Sequence, residues 1–268
     1  MVVFPNAKIN LGLQIVEKRA DGFHNIASCF VPVGWYDVLE ATEADIFNFV
    51  SSGINIPGNP ATNLCVAAYQ SLKRDFDLPP LRLHLHKVVP IGAGLGGGSA
   101  DAAFALKLIN AKFKLNLTDA QLENYARPLG SDCAFFVQNK PQFCFDKGDQ
   151  FADISVDLRG KYVALVYPNL HISTAEAYAG VRPKTPEIDL RQALQSPVGH
   201  WKHTVKNDFE DALFAKYPVL GQTKQKLYDQ GASYASMTGS GSTIFGIFEA
   251  ETDVRTHFKD FTVWQGVL

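Results

Sequence analysis

Between Pro90 and Ala103 the chain reads PIGAGLGGGSADAA, with five glycines among the seven residues from Gly92 to Gly98. Glycine tolerates positive φ and lets a backbone approach a ligand closely. A helix that follows such a run presents free N–H groups and the positive end of its dipole. Together these features describe an anion site suited to a di- or triphosphate. An ordinary strand-to-helix turn is the simpler explanation, but turns of that kind need only one or two glycines.

The common phosphate loops fit poorly. Gly92, Gly94 and Gly97 satisfy GxGxxG, yet the acidic residue about 20 positions later that a dinucleotide fold requires is absent. Asp119, the candidate by position, belongs to a helix-start signature. Gly98-Ser99-Ala100 lacks the lysine of a Walker A loop, and protein-kinase signatures are missing. Ser99 follows the glycines and could cap the next helix, reach a phosphate oxygen, or bind a metal ion.

Phosphoryl transfer needs charge neutralisation, positioning and a group to receive the acceptor's proton. Asp132 stands before the apolar run Cys133–Val137, which places a carboxylate at the edge of a core. It reads equally as a catalytic base or as a turn aspartate after Gly130-Ser131. Lys8 and Asn10 share one strand face because side chains repeat every two residues. On spacing alone a solvated face is the simpler and usually the better explanation.

These residues must be carried by particular elements. Ala7, Ile9 and Leu11 alternate with Lys8, Asn10 and Gly12, which predicts a strand over 7–16. Asp21-Gly22 is a turn signal, with a returning strand over 23–33. A helix is expected over 62–74 after a loop at 55–60. Leu81, Leu83 and Leu85 alternate with Arg82, His84 and His86 and predict a strand over 81–89, with both histidines on its polar face and without a chemical role. The glycine run precedes a helix over 99–113 whose Ala102, Leu106, Ile109 and Phe113 face the core. Thr118 and Gln121 form a capping box. Apolar runs at 162–167 and 243–248 predict buried strands, and 183–197 reads as a proline-containing connection between helices. Strands and helices mix without βαβ regularity, so the class is α+β. The expected boundary lies near residue 153, giving domains 1–153 and 154–268.

The chain has 268 residues, 46% of them hydrophobic and 19% charged, which excludes intrinsic disorder. Net charge is −2, from 25 basic and 27 acidic residues, so no global field draws it to nucleic acid or anionic lipid. Cys29, Cys65, Cys133 and Cys144 show no metal or disulfide spacing and fit a reducing cytosol. With no signal-peptide pattern and no long apolar span, the expected location is cytoplasmic.

The glycine run resembles the second motif of the GHMP kinases. PNAKINL at Pro5–Leu11 and MTGSGSTIFG at Met237–Gly246 resemble that family's first and third motifs, so the likeness covers most of the chain. Within the family the PxxxNLxL start at Pro5, the DG-aromatic-H at Asp21–His24, PxGxGLGGGS at Pro90–Ser99 and GxDxxFF at Gly130–Phe136 are similar to those of members that phosphorylate 4-diphosphocytidyl-2-C-methyl-D-erythritol. Phe23 departs from the pattern, standing where tyrosine is more usual.

The resemblance implies a two-domain α+β fold, with a ribosomal-protein-like N-terminal domain and a ferredoxin-like C-terminal one. It implies ATP and Mg²⁺, and a small-molecule cytidine diphosphate substrate phosphorylated on its 2-hydroxyl in non-mevalonate isoprenoid synthesis. Carried over residue by residue, Asp132 is the base and Lys8 its cationic partner. Pro90, Ile91, Gly92, Ala93, Gly94, Leu95, Gly96, Gly97, Gly98, Ser99 and Ala100 hold the phosphates, with Asn63, Leu64 and Lys87 near the adenine. Asn10, His24, Phe30, Tyr178, Gly239 and Ser240 face the substrate. Ser99 is the one metal ligand suggested. No nucleic-acid or membrane partner is expected, and the chain would act as a monomer or homodimer. Competing readings are a homoserine or mevalonate kinase of the same family, a nucleic-acid-binding module, and an ATP-binding chain without turnover.

Overall fold

In the computed structural model, which describes residues 1–268, the alternating segment forms the strand Leu81–Lys87 with every leucine wholly buried. It is an inner strand of a four-stranded sheet ordered Val2–Val3, Val38–Glu43, Leu81–Lys87, Asn48–Gly53. Pairing with Val38–Glu43 is antiparallel and with Asn48–Gly53 parallel. The helices Leu64–Lys73 and Gly97–Phe113 pack against each other. Ala102, Leu106 and Ile109 are completely buried, whereas Phe113, expected in the core, is only half-buried at the helix end.

Helix starts differ from the sequence expectation for local reasons. A 3-10 turn at Pro60–Thr62 precedes the helix expected from residue 62, and Asn63 caps it by accepting from Cys65 N at 2.9 Å. The glycine helix begins at Gly97, with Gly96 at its cap position in the left-handed region and no side-chain cap. Ser99 therefore lies within the first turn and is not its cap. Thr118 and Gln121 do form the reciprocal capping box, at the start of Asp119–Ala126.

The long strands Asn6–Lys18 and His24–Tyr36 join Gln142–Phe145 and Gln150–Asp153 in a second four-stranded sheet. A third sheet, wholly antiparallel, runs Tyr234–Met237, Ile244–Phe248, Tyr162–Tyr167, Thr262–Val267. Its central strand is buried from Val163 to Val166, as a continuous apolar run requires. The connection over 183–197 carries a short helix, Leu190–Ala193, which Asp189 caps through Arg191 N.

Packing divides the chain into two compact units interleaved in sequence. The first comprises residues 1–7, 35–91 and 96–140; the second comprises 8–34, 92–95 and 141–268. The glycine run is thus shared, with residues 92–95 in the second unit and the helix start in the first.

Candidate active site

Three of the run's glycines sit at positive φ: Gly92 at 65°, Gly94 at 78° and Gly96 at 70°. Three such positions in five residues favour glycine, because positive φ is costly for most residues that carry a β-carbon. Gly94 is also confined in space, since a Cβ there would stand 2.1 Å from the Thr238 carbonyl oxygen. The glycine-rich 237–241 turn accounts for this closeness. Leu95 O accepts from Lys8 N at 2.9 Å and Ala93 O from Thr243 N at 3.3 Å, which fastens the segment 92–95 on both sides. Gly98 has open space where a side chain would project, in the first turn of a 17-residue helix.

Lys8 and Asn10 do share a face, and that face is not solvated: they are 3% and 1% exposed. Lys8 Nζ donates to Asn10 Oδ1 at 2.6 Å and to Gly94 O at 3.2 Å, and lies 4.8 Å above the Phe30 ring. Asn10 Nδ2 donates to Ser28 Oγ, which donates to Gly12 O. Thr238 Oγ1 accepts from Asn10 N and stands within hydrogen-bonding distance of Gly94 O and Asn10 Oδ1. Asn207 spends both amide hydrogens on Met237 O and Gly239 O. The network ties the first and third motifs to the glycine run. Ser28 and Asn207 were not anticipated, because nothing in their spacing marks them; Thr238 lies within the third motif but was not singled out there.

His24 is positioned by the expected turn. Asp21 accepts from Phe23 N at 3.1 Å and pairs with Arg19, which also reaches Asn25 and Asp146. The His24 ring stacks on Tyr178, centroids 4.6 Å apart and planes at 24°, and Phe209 meets Tyr178 edge-on. Burial and then the Lys18 charge hold the His24 pKa below its ordinary value, which keeps the imidazole neutral near pH 7. Phe30 is 2% exposed and forms the floor under Lys8, a core position. Phe23 is exposed beside Lys147.

In the first unit, a cavity of about 210 Å³ is lined by Phe49, Ser51, Asn63, Leu64, Gly98 and Asp101, among others. It brings Asn63 and Leu64 to the start of the glycine helix. A larger open depression of about 700 Å³, walled by Lys73, Arg74 and Tyr125, includes no residue of the glycine run. Lys87 is not the solvated strand-end charge its sequence position allows. It is 3% exposed and pairs with Asp37 at 2.5 Å and Asp101 at 2.8 Å. The signal was present in the sequence: Lys87 falls in phase with Leu81, Leu83 and Leu85.

Asp132 occupies the turn before the short helix Phe135–Gln138 and is half-buried, with Cys133 N closing the turn on Gly130 O. Lys8 belongs to the second unit and Asp132 to the first. Burial pushes Cys133 and Cys29 up to about 12, so neither is a nucleophile at neutral pH. His84 and His86 share the Ser52 hydroxyl, at 2.8 and 3.0 Å. No group of three His, Cys, Asp or Glu side chains could hold a metal ion.

Within the second unit, the glycine segment 92–95 and the buried Lys8 ammonium share one hydrogen-bonded frame; within the first, a cavity opens at the start of the glycine helix. The family model described as the GHMP kinases N terminal domain matches residues 63–140, and the GHMP kinases C terminal model matches 191–258. The 4-diphosphocytidyl-2-C-methyl-D-erythritol kinase of Cytophaga hutchinsonii is 50% identical over 254 residues, covering 94% of each chain. The protein of the same name from Parabacteroides distasonis is 44% identical over 270 residues, with full coverage of both. A crystal structure of 4-(cytidine 5'-diphospho)-2C-methyl-D-erythritol kinase superposes with a TM-score of 0.84 at 26% identity, covering 99% of this chain and 98% of that one. Methanococcus jannaschii mevalonate kinase, at 12% identity and a TM-score of 0.74, shares the fold.

Proposed function

The chain belongs to the GHMP kinases, and from that membership we propose that it transfers the γ-phosphate of ATP to the 2-hydroxyl of 4-diphosphocytidyl-2-C-methyl-D-erythritol. The step lies in non-mevalonate isoprenoid precursor synthesis. The observation that carries the reading is the interlock of Gly94 with Thr238 and Lys8, which joins all three family motifs around one buried ammonium.

In this reading the backbone from Gly92 to Gly98 and the helix start behind it hold the triphosphate. The cavity at Asn63 and Leu64 takes the adenine. Asn63 Oδ1 is committed to its capping bond, so its amide nitrogen is the group available to the base. Asp132 receives the proton of the attacking hydroxyl. Lys8 stabilises the ionised carboxylate and the developing alkoxide, and its hydrogen bond to Asn10 fixes its direction. Gly239 and Ser240 close the frame from the third motif. Neutral His24 reads the cytosine edge, and Tyr178 supplies the face for stacking; because the two rings now lie in contact, the base enters beside that pair and not between its members.

Mg²⁺ neutralises phosphate charge when bound with the nucleotide. The residues fit an ion held mainly by phosphate oxygens and water: no three-ligand protein cluster is present, and Ser99, free of a capping role, is the side chain that would complete the shell. We assign the family domains to 1–153 and 154–268. The protein works in the cytoplasm as a monomer or homodimer on a diffusible substrate, without nucleic acid. Four buried free thiols suit such a compartment.

Measuring ADP release with the cytidine compound, mevalonate and homoserine as separate acceptors tests the assignment. Turnover is expected with the first alone. Turnover with mevalonate or homoserine and none with the cytidine compound overturns it.

A further inference from the structure

Lys87, Asp37 and Asp101 form a buried ion triad whose cost needs a reason. Each is at most 3% exposed. Lys87 Nζ bridges the two carboxylates, and Asp37 Oδ1 also accepts from Val88 N at 2.6 Å and Val89 N at 2.8 Å. Buried ion pairs are frequently no more stabilising than apolar residues of the same volume. Stability therefore gives little cause to place three ionisable groups here, among buried side chains such as Cys65 and Val89.

The triad touches the nucleotide cleft at two points. Asp101 lines the cavity together with Asn63 and Gly98, and its Oδ1, although buried, has no hydrogen-bond partner. A Cβ on Gly97, the first residue of the glycine helix, would stand 2.9 Å from Lys87 Nζ. Lys87 itself does not line the cavity, so its side chain reaches the cleft only through Asp101 and the helix start.

We propose that Lys87 and Asp37 are positioning residues for ATP: they fix Asp101 and the first turn of the glycine helix in the geometry that receives the nucleotide. Asp37 anchors the ammonium to the 88–89 backbone, and the ammonium in turn holds Asp101 Oδ2, which leaves Oδ1 directed at the cleft. The inference rests on the kinase reading above; it adds Asp37 and gives Lys87, which the resemblance places near the adenine, a role exerted without touching the ligand.

The test is titration of Mg-ATP into wild type, Lys87→Met, Asp37→Asn and the double variant, with kcat and both KM values measured beside it. Asp37→Asn retains an oxygen for the Val88 and Val89 amides and removes only the charge facing Lys87. ATP Kd should rise by at least about tenfold, while kcat at saturation and KM for the alcohol acceptor stay within about threefold. An unchanged ATP Kd in any folded variant overturns the proposal, as does a parallel loss in both substrates. Hydrogen exchange on wild type gives a reading that needs no variant. ATP should protect the amides of Val88 and Val89 together with those of 97–101; protection confined to the glycine helix contradicts the coupling. If wild type binds no ATP, the kinase reading fails first; if it binds and these variants bind equally well, only the positioning role fails.

Discussion

Lys8 and Lys87 are equally buried, yet they serve different ends. Lys8 donates to Asn10 and Gly94 in the frame that joins the three motifs, whereas Lys87 bridges Asp37 and Asp101 at the start of the glycine helix. The same contrast separates Tyr178 from Phe30. Tyr178 is half-buried with one face on His24, so Tyr178→Ala should raise KM for the cytidine substrate by roughly tenfold or more, the loss of about 1–3 kcal/mol of stacking. KM for ATP should not change; steady-state kinetics in both substrates checks this. Phe30→Ala should instead destabilise the fold by about 3–5 kcal/mol, seen in urea unfolding, because it empties a core site beneath Lys8. At this scale the sequence was partly legible. Two-residue spacing paired Lys8 with Asn10, and phase with the leucines would have placed Lys87 inside. Asp37 carried no such mark, since its partner lies 50 residues away.

Among the elements, the glycine run is where local conformation and long-range contact impose the same requirement. Gly94→Ala must place a β-carbon at positive φ and against the Thr238 carbonyl, so the 92–95 segment has to shift. ATP binding should fall by at least about a hundredfold, as expected when a phosphate cradle loses its geometry; a calorimetric titration near wild-type affinity would contradict the interlock. Strand positions were readable because alternation is a period-2 signal. Helix starts were less so. Asn63 and Gly96, which begin the helices Leu64–Lys73 and Gly97–Phe113, act through backbone dihedrals and one capping bond, which apolar periodicity does not report.

For the molecule as a whole, stability should carry the signature of the buried triad. Two carboxylates share one ammonium, and Asp37 has two backbone donors besides. Burial, with Asp37 adding to it, pushes Asp101 up to about 7 against the pull of Lys87. The native state then binds more protons than the unfolded chain between about pH 4 and 7, and stability falls as pH rises through that window and levels off above it. The unfolding free energy of wild type relative to Asp101→Asn, whose amide does not titrate, should therefore decline from pH 5 to pH 8; parallel profiles would contradict the assignment. Interleaving of the two units was not legible along the chain, because a composition scan sees sequence neighbours and the second unit gathers 8–34 with 141–268. The proposed chemistry needs Asp132 to receive the proton of the attacking hydroxyl. Turnover of Asp132→Asn, measured with ATP affinity alongside, is the most direct test. The account predicts kcat reduced by at least about a hundredfold with ATP Kd nearly unchanged, whereas turnover close to wild type would make Asp132 a turn residue and leave the reaction without its base.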